Sequence, residues 1–151
     1  MYRTSRGLLL VLSVLLVASC GDDDDTTGPV NNSLVGTWDA TAIQLTSVAN
    51  PGAVVELISG GANGRLVLQA DGGFGLSVGI PGEPTEFGNG DWGVTDVLTL
   101  EFGDGDIQGI WQFDIDLNGN TLQLTGADTE WDFDEDGTDD PAKLNLSLVR
   151  S

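Results

Sequence analysis

Apolar residues along the chain fall in short runs of period two, separated about every ten positions by glycine, aspartate and asparagine. Leu66, Leu68 and Ala70 share one parity. After Asp71-Gly72-Gly73, Phe74, Leu76 and Val78 take it up again, which predicts a hairpin. Leu98, Leu100 and Phe102 lead into the turn Gly103-Asp104-Gly105-Asp106, and Trp111, Phe113, Ile115 and Leu117 into Asn118-Gly119-Asn120. Leu122 and Leu124 open a further strand, and Leu144, Leu146 and Leu148 alternate through the last one. One apolar face and one wet face belong to antiparallel sheets, not to buried parallel ones. No helical stripe of useful length is present, and residues 34–151 have the size of one domain. The pattern predicts an all-β antiparallel meander closed as a barrel of about eight strands, with a β-sandwich as the alternative.

The first twenty residues follow a different rule. Arg3 and Arg6 precede an apolar run from Leu8 to Val17, and Ala18 and Ser19 are small. This layout predicts a secretory signal peptide over 1–19, with an apolar run below the roughly 20 residues of a membrane-spanning helix. Val17-Ala18-Ser19-Cys20 resembles a bacterial lipobox. The resemblance implies cleavage before Cys20, acylation of that cysteine, and a lipid-anchored protein of the cell envelope, tethered at the outer membrane. Residues 20–33, with four consecutive aspartates at 22–25 followed by Gly28 and Pro29, read as an acidic flexible tether. An acidic run at this place also resembles the surface-export signals of some Gram-negative lipoproteins, so a periplasmic and a cell-surface position both stay open.

Composition then removes whole classes of chemistry. The 151 residues hold 24 Asp plus Glu against 5 Lys plus Arg, for a formal net charge of −19, with no histidine and one cysteine. Histidine-based nucleophile pairs, histidine-ligated zinc, internal disulfides and CxxC redox pairs are thereby excluded. So strong a negative charge argues against nucleic-acid partners. No motif pairs a carboxylate with a cleft, and the reading is of a non-catalytic protein with no catalytic residues.

Gly36-Thr37-Trp38 opens the domain, and Leu148-Val149-Arg150 closes it. Together with the meander between them, these residues resemble the lipocalin-like domains of small bacterial lipoproteins, over about residues 34–150. The resemblance implies that Trp38 plugs the closed end of a barrel and that Arg150 packs across it through a cation–π contact. It also implies a small apolar ligand, or a structural role, with the inward faces of 66–70, 74–78 and 98–102 lining a cavity. Gly90-Asp91-Trp92 and Gly109-Ile110-Trp111 repeat the glycine-x-tryptophan pattern, and both tryptophans are expected to fill space in the core.

Near the end lies Asp132-Phe133-Asp134-Glu135-Asp136-Gly137-Thr138-Asp139-Asp140. Asp132, Asp134 and Asp136 take positions 1, 3 and 5 of a calcium loop, Gly137 the turn at 6, Thr138 the carbonyl at 7 and Asp140 position 9. The segment resembles the D-x-D-x-D-G loops of EF-hands, dockerins and extracellular calcium repeats, with Lys143 where the bidentate glutamate of position 12 would stand. Structural Ca²⁺ is therefore the one candidate cofactor, and a solvated acidic loop the alternative. With calcium bound, the domain would serve as a surface interaction or adhesion module for an envelope protein or glycan.

Overall fold

The structure is a computed structural model that describes residues 31–151. The signal peptide, Cys20 and residues 20–30 of the tether lie outside the described residues. Nine strands follow one another: β1 (Gly36–Ser47), β2 (Val54–Glu56), β3 (Asn63–Leu68), β4 (Gly73–Gly79), β5 (Glu86–Val94), β6 (Leu98–Gly105), β7 (Gly109–Asn118), β8 (Thr121–Trp131) and β9 (Asp140–Arg150). All pairings are antiparallel, each strand from β3 to β8 pairs with the next, and β1 bonds to both β3 and β9. Eight strands thus close into a barrel, and the three-residue β2 is added on the upper half of β1. The meander and its closure are those the alternation predicts, and the sandwich is set aside.

The closed end is built by the two ends of the described chain and the turns at 69–72, 95–97 and 119–120. Trp38 is fully buried there, its Nε1–H donating to the Leu34 carbonyl at 2.8 Å. The Arg150 guanidinium lies 4.2 Å from the centre of the Trp38 ring, and its Nη1 and Nη2 donate to the carbonyls of Val35 at 2.6 Å and Ser33 at 2.7 Å. Gly36 is required beside this contact, because a Cβ at that position would run into the Arg150 guanidinium. The two ends of the described chain are therefore pinned together, with Asn31 capping the turn that enters β1 through Ser33.

Above this plug the interior is solid. Trp92 and Phe113 are fully buried with Leu98, Leu100, Leu122 and Leu124, and Trp92 Nε1–H donates to the Gln69 carbonyl at 2.9 Å. Phe74, Phe102, Trp111 and Phe113 form a chain of edge-to-face contacts with centroids 4.9 to 6.2 Å apart. Such pairs add about 0.5–1.5 kcal/mol each beyond the area they bury. Two bulges, between Ala40 and Ala42 and between Thr125 and Ala127, shift the inward parity along β1 and β8. In β8 the extra residue is Gly126, at φ +94°, and beyond it Ala127, Thr129 and Trp131 take up the inward parity, leaving Asp128 and Glu130 exposed.

Candidate functional site

The open end is framed by the segments 48–62, 80–85, 106–108 and 132–139, and beneath them lies a cavity of about 660 Å³. Its floor is set by Leu66 and Leu148, and its walls by aliphatic side chains including Ile43, Leu45, Leu76, Val78, Leu144 and Leu146. Trp111 and Trp131, both half-buried, add aromatic faces. That volume lies within the range of about 300–1,000 Å³ common to small-molecule sites. The lining is mainly apolar, which fixes what the cavity can do: it can exclude water from an aliphatic or aromatic body but offers few directed hydrogen bonds.

Three of the sequence expectations change here. The inward residues of 98–102 do not line the cavity; the edge-to-face aromatic chain fills that part of the barrel, and the cavity wall comes instead from the 106–111 segment. The stretch 66–70 contributes only its start, because β3 ends at Leu68 and Ala70 is exposed in the turn. Trp92 packs in the core as expected, whereas Trp111 reaches the cavity.

One seam in the wall is held by a carboxylate. β1 bonds to β3 through 36–39 and to β2 through 44–46, and Glu56 bridges the gap between them. Its oxygens accept the N–H groups of Ile43 at 3.1 Å, Ile58 at 3.2 Å and Ser59 at 2.6 Å. The Ser59 N–H first, then that of Ile43, holds the Glu56 carboxyl below its ordinary value. No sequence motif marked Glu56, since its partners lie in a turn and on a strand thirteen residues back.

The acidic segment joins β8 to β9 at the same end of the barrel. Carboxylate oxygens of Asp132, Asp134 and Asp136 converge within 4.8 Å of one another. The Asp132 carboxylate accepts the N–H of Gly137 at 2.8 Å and of Asp136 at 3.2 Å, while Asp136 accepts that of Thr138 at 2.8 Å. The Gly137 N–H is the main reason the Asp132 carboxyl sits below its ordinary value. Gly137 turns at φ +86° as expected, and Glu135 also adopts a left-handed conformation at φ +58°. Asp140 stands apart from this trio, as the first residue of β9 opposite Trp131. Lys143 points its Nζ to Asp128 at 2.6 Å and to the Gly126 carbonyl at 3.1 Å.

No protein-family model matches the chain, and no curated protein matches it either.

Proposed function

We propose that this chain is a lipid-anchored lipoprotein of the bacterial cell envelope whose lipocalin-like barrel carries a small apolar ligand and catalyses no reaction. The observation that carries the reading is the division of the barrel interior, solid with aromatic rings toward the plugged base and hollow with aliphatic walls toward the mouth. A barrel of eight strands needs no hollow to be stable, since its own side chains can fill it. Space kept open among leucine, isoleucine and valine side chains suits an apolar guest.

The test is titration of the Cys20→Ser chain, which escapes acylation, with the neutral dye Nile red. Saturable fluorescence enhancement is expected, and Val78→Trp, which adds bulk on the cavity wall, should abolish it while the far-ultraviolet circular dichroism stays that of a barrel. Enhancement that survives Val78→Trp would place the dye elsewhere and count against a ligand carrier. The lipid anchor has its own readout: in a bacterial host, labelled fatty acid should enter the wild-type chain and not Cys20→Ser, and equal labelling of both would overturn the lipobox reading.

A second reading, a calcium-stabilised interaction module, is favoured by the convergence of Asp132, Asp134 and Asp136. Extracellular modules hold calcium with dissociation constants of about 10⁻⁴ to 10⁻³ M. On this reading millimolar calcium, but not magnesium, raises the melting temperature, and Asp134→Asn with Asp136→Asn removes the rise. A rise that persists in the double variant would assign the ion to other residues.

A further inference from the structure

Resting on the ligand-carrier reading, we infer that the guest is a cationic amphiphile, an aliphatic body seated in the cavity with an ammonium-type head at the mouth. The inference comes from the mismatch between the cavity's walls and its rim. The walls are hydrocarbon, but Glu86 and Asp106 border the opening. Glu86 shares the inward parity of Gly88, whose missing Cβ leaves room for the Phe102 ring inside the barrel. Asp106 stands next to it, its carboxylate accepting the Phe87 N–H at 3.2 Å.

Among the described residues there are three basic side chains, and each is already engaged. Arg65 borders the cavity but bonds through Nε to Asp39 at 2.7 Å, Lys143 pairs with Asp128, and Arg150 lies across Trp38 at the opposite end. The rim therefore offers carboxylates with no basic side chain free to meet an anionic head. A fatty-acid carboxylate entering tail first would bring its charge among like charges, and a neutral head would gain nothing from them. An ammonium head gains their attraction, and Trp131 on the inward parity of the mouth adds an aromatic face within the reach of such a head.

The experiment uses three amphiphiles with one tail: dodecyltrimethylammonium, dodecanol and dodecanoate, each below its micellar concentration, with chelator present. Displacement of Nile red from the Cys20→Ser chain reads occupancy of the cavity itself. The cation should displace the dye about tenfold more effectively than the alcohol at low salt, the carboxylate should be weakest, and the cation's advantage should shrink in molar salt. Glu86→Gln with Asp106→Asn should erase that advantage and leave dodecanol unchanged. Asp114→Asn with Asp116→Asn, the same loss of charge on exposed positions of β7, should preserve it. Equal displacement by all three, or a cation preference that outlasts the rim variant, would overturn the inference while leaving the carrier reading intact. Displacement by none of them, with no Nile red bound in the first place, would bring down both.

Discussion

Trp38→Ala unfolds in urea with a stability lower by about 4 kcal/mol, the cost of emptying a fully buried indole site. Three losses combine in it. The ring leaves a void between Leu34, Leu66 and the end of β9, since Trp38 sits opposite Leu66 on one side and Arg150 on the other. The Leu34 carbonyl loses the indole N–H that it accepts at 2.8 Å. The Arg150 guanidinium loses the face it covers, a contact worth about 0.5–2 kcal/mol. Against a total of about 5–15 kcal/mol for a domain, such a change leaves little reserve. Arg150→Ala should cost less, because the ring stays packed. A Trp38→Ala loss below about 1 kcal/mol would mean that the plug is not what closes this end.

Gly90→Ala should be highly damaging for so conservative a substitution, lowering stability by about 3 kcal/mol. β6 bulges at Gly103 opposite Asn89 and Gly90 of β5, and a Cβ at Gly90 would land on the Glu101 main-chain carbonyl and the Gly103 N–H group. Both obstacles are backbone, so no side-chain rotation relieves them. Gly75→Ala supplies the contrast, since a Cβ there meets nothing within 4 Å. It should be neutral or gain up to about 1 kcal/mol through the unfolded chain. Thermal unfolding of the pair decides the matter, and coincident melting temperatures would refute the close approach.

This pair also shows where the sequence was readable and where it was not. The strands around Leu66, Phe74, Leu98, Phe113 and Leu146 announced themselves, because each alternates bulk with polarity on its own. β5 did not, since its inward places at Gly88 and Gly90 are filled by the Phe102 ring and by the backbone of β6. A residue whose role is to leave room carries no hydrophobic mark. Likewise the bulge at Gly126 moved Trp131 inward and Glu130 outward, and period-two counting across it loses the parity. Asp132, Asp134 and Asp136 were legible as a group because their spacing alone brings them round one tight turn. Asp140 obeys the ladder of β9 instead. The hollow was expected only through the family resemblance and not from the alternation itself: Leu76 packed on a neighbour and Leu76 facing empty space have the same pattern.

The junction of Ser33 with Arg150 also sets a direction in space. The described chain enters the barrel at its plugged base, where Ser33 and Val35 are gripped by the last arginine. The hollow opens at the opposite pole, so the point where residue 31 leads into the barrel and the mouth of the cavity are separated by the full length of the strands. On the proposed carrier reading, a guest would enter and leave at the pole farthest from the junction of Ser33 with Arg150, and no guest would have to pass that plug.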